Sequence, residues 1–279
     1  MQQHPLDQEA ARQFKHWMAL GQPEQAEAAL WQLLAQEPNL PSAHQALARL
    51  RWPGPDYHEW LSWFHRRLQP ALYVEIGVES GASLALAQPA SQVIAIDPAP
   101  LGNPLQACAA PAQLFRQTSV SFFAAVPVGC GLERGFDLAF VDGDHRFESV
   151  LEDFIALERH AAPGAVVLLH DTLPLTASTS GSVRNTGFYS GDTWKVVPCL
   201  RALRPELHMV TLPAAPTGLT IITGLNPRSS VLQQRLPLIR QVYGRLPATR
   251  AVETPDRLML LGRNDWSWMA DWLSQAGVR

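Results

Sequence analysis

The sequence has few cysteines, no long apolar run and no block of one charge. Cys108, Cys130 and Cys199 are odd in number and widely spaced. They match neither a disulfide framework nor paired zinc ligands, and read as small buried apolar residues. No uninterrupted apolar stretch reaches the roughly 18 residues of a membrane span, and the opening "MQQHPLDQEAARQFKHW" lacks the apolar core of a signal peptide. The expectation is a cytoplasmic protein with no membrane span. Net charge is −3 and no Lys/Arg cluster stands out, so the electrostatic footprint of nucleic-acid binding is missing.

What is present is ample apolar content, 47% of 279 residues, enough for one large domain or a medium and a small one. Residues 7 to 50 are rich in Ala, Leu, Gln and Glu and read as helices. Within "LGQPEQAEAALWQLLAQEPNLPSAHQALARL", Gly21, Ala26, Leu30 and Pro38 fall at intervals that resemble a tetratricopeptide helix pair. A single pair cannot bury its apolar face, so it must dock on the rest of the chain or on another subunit. "RWPGPDYHEW", residues 51 to 60, reads as a connector.

From about residue 70 short apolar runs alternate with helical stretches, the signature of a parallel sheet covered by helices. Strands are expected at 71–76, 92–96, 113–116, 136–141 and 165–170, with a closing antiparallel pair near 207–212 and 218–223. A helix follows residue 225, and a last short one follows Asn264 or Asp265 as its cap. The division expected is 1–68 helical region and connector, 69–225 sheet domain, and 226–279 helical extension.

"ALYVEIGVESGASLALA", residues 71 to 87, starts as a strand and is expected to end as a helix, with Glu75, Gly77 and Gly81 at the turn. A dinucleotide-binding turn would have three glycines spaced G-x-G-x-x-G to clear room for a pyrophosphate. Here the pattern is E-x-G-x-x-x-G, which speaks against a nicotinamide dehydrogenase. Asp97 ends the next strand, twenty positions after Gly77, where a carboxylate can accept hydrogen bonds from a ribose diol. A ribose-holding acid without a pyrophosphate cradle points to a nucleoside lacking phosphates.

This arrangement resembles class I S-adenosylmethionine-dependent methyltransferases. The strand ends "VDGDH" (141–145) and "HDT" (170–172), with "GDTWKVVPCL" and "GLTIITG", resemble the macrocin-type sugar O-methyltransferases and cephalosporin hydroxylase-associated enzymes within that class. The resemblance runs from about 70 to 224. It implies an α/β, Rossmann-like doubly wound, mostly parallel sheet with an antiparallel closing strand, preceded by a small helical region. It also implies S-adenosyl-L-methionine as cofactor, contacted by Glu75, Gly77, Gly81, Asp97, Thr118 and Asp142. Carried over residue by residue, a magnesium ion falls on Asp142 and Asp171 with His170 or Thr172 beside it, and His145 or His170 serves as general base.

The residue types suit that chemistry: magnesium prefers hard oxygen ligands, a dication stabilises a developing alkoxide, and histidine titrates in the useful range. The expected acceptor is a hydroxyl of a small molecule or sugar, and the terminal helices offer a homo-oligomer surface. Two rivals remain open at this point: a metal-independent enzyme on the same fold, and a silent scaffold protein that uses the helical pair. Asp144 is expected to cap the helix starting at His145. Relatives place an acid near the adenine after the third strand, whereas "RQTSV" here carries Gln117, Thr118 and Ser119. The Ser/Thr/Gly-rich stretch 172–194 is expected to be a lid or binding loop, with Arg184, Phe188 and Tyr189 touching substrate and Trp194 anchoring the next helix. Trp266, Trp268 and Trp272 are expected in core packing or a subunit contact.

Overall fold

A computed structural model describes residues 4–278. The chain begins with three helices, α1 (Pro5–Ala19), α2 (Pro23–Gln36) and α3 (Pro41–Arg51). Each starts on a proline, whose fixed φ suits the first helical position and whose missing N–H is not needed there. Leu30, Leu34 and Leu47 pack around Ala10 between them, and the same cluster takes in Leu175, Phe188 and Ala215 from the sheet domain. The helical unit therefore docks within its own chain.

The helix α4 (Tyr57–Leu68) follows, opened by a reciprocal cap in which Asp56 and Glu59 each accept the other's backbone N–H. Seven strands then form one sheet: β1 (Leu72–Ile76), β2 (Gln92–Ile96), β3 (Ala112–Phe115), β4 (Phe136–Val141), β5 (Ala161–His170), β6 (His208–Leu212) and β7 (Leu219–Thr223). Their spatial order is β3-β2-β1-β4-β5-β7-β6, with β7 antiparallel to both its neighbours. All the expected strands form. β5 starts four residues early, carried through Pro163 and Gly164.

Every residue of β1 is buried, as a strand covered on both faces requires. On one face Leu72, Val74 and Ile76 join Phe147, Leu151 and Phe154 of α6 (Phe147–Glu158), with α5 (Ser119–Ala124), α7 (Val196–Leu203) and α8 (Val231–Val242) around them. On the other face Tyr73, Val93 and Phe140 meet Trp60 and Phe64 of α4. Two short helices, α9 (Ala248–Glu253) and α10 (Pro255–Leu258), lead to α11 (Trp266–Gln275), capped by Asp265. Trp266 lies 4.1 Å from Trp60, and Trp268 and Trp272 pack on the same cluster, so the tryptophans serve the core. Cys130 and Cys199 are buried and Cys108 is half-buried, all unpaired.

One expectation fails at the glycine turn. Only a single 3-10 turn, Leu84–Leu86, stands where a full helix was expected after β1. The Ser83 hydroxyl is drawn to buried Glu75, and Pro89 withholds the N–H that the next turn would use. No helix of the described residues is long and apolar enough to cross a membrane.

Candidate active site

The strand order reverses between β1 and β4, and in open α/β sheets such a reversal opens a crevice beyond the strands' carboxyl ends. A cavity of about 1050 Å³ lies there. It runs from the glycine turn, past Asp97 and Thr118, to Asp142 and His145.

The turn itself is held by backbone packing. Gly77 has φ +84° and its missing Cβ would lie 2.1 Å from the Asp142 carbonyl oxygen; Gly81, also at +84°, faces the Pro104 carbonyl oxygen at 2.0 Å. Both positions therefore exclude any side chain. Glu75 does not reach the cavity. It is fully buried, accepts hydrogen bonds from the Tyr73 and Ser83 hydroxyls, and is pushed up to about 8 by burial. Where a cofactor contact was expected, Glu75 instead organises the turn from within.

Asp97 also differs from expectation. Its Oδ2 accepts from the N–H groups of Val78 and Glu79 at 2.8 and 2.9 Å, and its Oδ1 from Ala99 at 2.7 Å. A carboxylate offers about four acceptor sites, so one remains for a ligand and the rest fasten the turn. Thr118 lines the cavity while its hydroxyl caps α5 through Ser121.

The two polar strand ends converge. His170 Nδ1 is 3.0 Å from Asp142 Oδ1 and 3.6 Å from Asp171 Oδ1, and its Nε2 is 3.2 Å from the Thr217 hydroxyl. His145 Nδ1 bonds Asp171 Oδ2. His145 and Asp171 both have left-handed backbone, φ +60° and +59°, a conformation uncommon outside glycine and concentrated at functional sites. Burial pulls both histidines down, but the facing carboxylates outweigh it, raising His170 and lifting His145 to about 9. Burial pushes Asp171 up, yet His170 and His145 hold it at about 2. At neutral pH His145 therefore holds its proton against the Asp171 carboxylate.

Metal binding can be tested on the donor set. Ligand atoms of Asp142, His170 and Asp171 all lie within 4.8 Å of one another, which a divalent cation could bridge with His170 neutral. The two carboxylates suit magnesium; the imidazole between them suits a softer ion.

Asp144 does not cap at His145. The helix α6 begins at Phe147, whose N–H goes to Asp192, while Asp144 accepts from the Arg146 N–H and side chain and from Ser149. Asp192 also donates its own N–H to the His145 carbonyl, so the "GDTW" stretch fixes the loop that aims His145.

The 172–194 segment is largely built into the fold. Thr176 bonds Thr179 at 2.9 Å, Ser180 bonds Ser190 at 3.1 Å, and Trp194 donates to the Ser180 carbonyl at 3.2 Å, tying the segment to the residues that follow it. Phe188 does not face substrate: it is buried against the helical unit, stacked 5.2 Å from His44. Arg184 and Tyr189 do line the cavity, with the guanidinium 5.7 Å over the tyrosine ring.

Tyr57, His58 and Asp153 are cavity residues that the sequence did not point to. Tyr57 stacks 4.1 Å from His170 and 4.1 Å from His58, bringing α4 into the site. The signal was the D-x-x-E cap in "PDYHEW", which marks a helix start rather than a connector. The third is Asp153 on α6, one of two acids among the buried residues of that helix.

Residues 74–172, which hold the glycine turn and both polar strand ends, match the family described as "Methyltransferase domain". Over those residues, about a third of the chain, the sequence is similar to that family. The sheet around them is Rossmann-like, doubly wound and mostly parallel with an antiparallel closing strand. Solved structures similar to this chain include cofactor-bound Rv0187 from MTB, 16% identical over 65% of this chain and 87% of that one, TM-score 0.46. Another is the O-methyltransferase from Bacillus cereus in complex with SAH, 12% identical over 64% and 86%, TM-score 0.42. A third is the O-methyltransferase TomG from Streptomyces achromogenes, 17% identical over 59% and 78%, TM-score 0.43. Likeness at these scores carries nothing further. Comparison with the curated proteins gives no match.

Proposed function

We propose that this protein transfers the methyl group of S-adenosylmethionine to a hydroxyl of a small molecule or sugar, with magnesium assisting. The observation that carries it is a single cavity running from the rigid glycine turn to a cluster of two carboxylates and two histidines. In this reading the turn and the remaining acceptor site of Asp97 take the cofactor, Thr118 contacts its base, and Tyr57, Arg184 and Tyr189 border the acceptor.

Asp142 and Asp171 would hold the metal, with His170 beside it. The bound cation would supply charge stabilisation for the acceptor oxygen as it loses its proton. Asp171 orients His145 through its Nδ1, which leaves Nε2 as the ring atom able to exchange a proton with the acceptor. Holding nucleophile, methyl and sulfur in line supplies much of the barrier reduction, on the order of 7 to 11 kcal/mol in favourable cases. We assign the helical unit and connector to 1–68, the catalytic domain to 69–225 and the extension to 226–279, and read the first helices as a tetratricopeptide-like pair.

A metal-independent reading is favoured by one observation: both carboxylates already have a histidine partner, so the cluster is paired as it stands. The experiment that separates the two uses methyl-labelled S-adenosylmethionine with a panel of phenols, polyols and glycosylated compounds, with magnesium or with chelator. We expect label on oxygen, lost with chelator. Transfer only to nitrogen or carbon would overturn the hydroxyl assignment, and transfer unaffected by chelator would remove the metal.

A further inference from the structure

Arg184 is an exposed residue that lines the cavity. A long side chain in such a place keeps one orientation only if something offsets the rotamer freedom it loses. Here three contacts hold it. Its Nη2 donates to the Gly187 carbonyl at 3.2 Å, its Nε to the Thr186 carbonyl at 3.5 Å, and its guanidinium lies over the Tyr189 ring. Each support is itself fixed: the Gly187 N–H donates to Asn39 Oδ1 at 2.6 Å, the Thr186 hydroxyl to the Phe188 carbonyl at 2.6 Å, and the Tyr189 hydroxyl to the Gly181 carbonyl at 2.9 Å. Asn39 lies between α2 and α3, so the helical unit braces the arginine through the same turn that stacks Phe188 on His44.

What the guanidinium lacks is a counter-charge. Arg146, the other arginine lining the cavity, is 2.7 Å from Asp144, whereas no carboxylate lies within ion-pairing distance of Arg184 among the described residues. An arginine stays charged at any working pH and presents a planar fork of donors that matches a carboxylate or a phosphate. Its two backbone bonds leave further N–H groups of that fork open. The Tyr189 ring beneath it also lies 6.0 Å from the His145 ring, so one tyrosine neighbours both the guanidinium and the proposed base. The open fork therefore belongs to the acceptor's end of the cavity.

We infer that the acceptor hydroxyl belongs to an acidic molecule, one bearing a carboxylate or a phosphate that Arg184 binds. This rests on the proposed methyl transfer to a hydroxyl and narrows its substrate class to anions. An anion fixed at Arg184 while the hydroxyl reaches the Asp142, His170 and Asp171 cluster orients the acceptor at two points, as in-line transfer needs. The bracing from the helical unit holds the fork in place before the anion arrives, which lowers the ordering cost of binding.

The test follows label from methyl-labelled S-adenosylmethionine, with magnesium present, into matched acceptors that differ in the anion: dihydroxybenzoate against its methyl ester, and glucuronate and glucose phosphate against glucose. Full-length wild type and Arg184→Gln are compared, with thermal melting as the folding control and calorimetric titration with S-adenosylhomocysteine as the cofactor control. Arg184 is exposed, so R184Q should melt with wild type. We expect wild type to favour the acidic member of at least one pair by on the order of tenfold or more in kcat/KM, mainly through KM, and R184Q to reduce that preference to about threefold or less. The arm that shows it, carboxylate or phosphate, identifies the anion. Equal use of both members of every pair by wild type, or a preference unchanged in R184Q, overturns the anion assignment while leaving transfer to a hydroxyl standing. A loss of S-adenosylhomocysteine affinity in R184Q of about tenfold also overturns it, by giving the arginine to the cofactor's own carboxylate. Label on no member of any pair overturns the hydroxyl reading and this inference together.

Discussion

His170 Nδ1 lies 3.0 Å from Asp142 Oδ1, joining the carboxyl ends of β4 and β5, two strands adjacent in the sheet. With Asp171 3.6 Å from the same ring nitrogen, His170 sits between two carboxylates and is pinned from behind by the Tyr57 ring. Asp142→Asn and Asp171→Asn remove one carboxylate each at little change in shape. Each is expected to lower kcat/KM at least about a hundredfold, the upper end of what losing a supporting group at a metal site costs. Affinity for S-adenosylhomocysteine should change much less. Steady-state kinetics beside calorimetry checks the split, and equal losses in both would place these carboxylates in cofactor binding instead.

Gly77→Ala brings a methyl group to within 2.1 Å of the Asp142 carbonyl oxygen at a backbone angle that favours glycine. The turn must shift, and with it the end of β4. We expect S-adenosylhomocysteine affinity to fall at least tenfold and the melting temperature to drop by several degrees, about 2–4 °C for each kcal/mol lost in a domain of this size. A variant that binds normally would show that the turn does not border the cofactor.

Glu75 is protonated in the folded chain up to about pH 8 and ionised above about 4.5 when unfolded. Between those values the folded state carries one proton more, so this group makes stability fall as pH rises from 4.5 to 8. Asp153, raised to about 7, acts in the same direction over the lower part of that window. Glu75→Gln keeps a neutral side chain between Tyr73 and Ser83 at every pH. Its melting temperature should fall less steeply than that of wild type between pH 5 and 8, with the two curves diverging as pH rises. Parallel curves would contradict a neutral Glu75.

Phe188 links the helical unit to the segment that presents Arg184 and Tyr189 to the cavity. Phe188→Ala is expected to destabilise by about 3–5 kcal/mol, the range for a buried aromatic truncated to alanine. The acceptor KM should rise more than the cofactor KM, because the loosened segment borders the acceptor end. Chemical denaturation and initial rates measure both.

The sheet was legible because strands covered on both faces must be written as apolar runs, and FDLAFV and AVVLLH leave little else to read. The turn and the aspartate-bearing strand ends were legible as motifs. What hid was pairing between distant residues. Asp97 looks like a free ribose acceptor in the sequence, yet its oxygens are largely taken by Val78, Glu79 and Ala99. The hydroxyl-rich stretch after Asp171 looks like an exposed loop because its composition is polar. Thr176, Thr179, Ser180 and Ser190 nevertheless satisfy one another and are buried. Phe188 could not be told from a substrate contact, since its partner His44 lies 144 positions earlier in the chain.

The most direct test of the central claim is calorimetric titration of the full wild-type chain with S-adenosylhomocysteine. We expect saturable binding with one site per chain and a dissociation constant on the order of micromolar, a free energy near −8 kcal/mol. Absence of binding up to millimolar ligand would contradict the cofactor site at the reversal between β1 and β4.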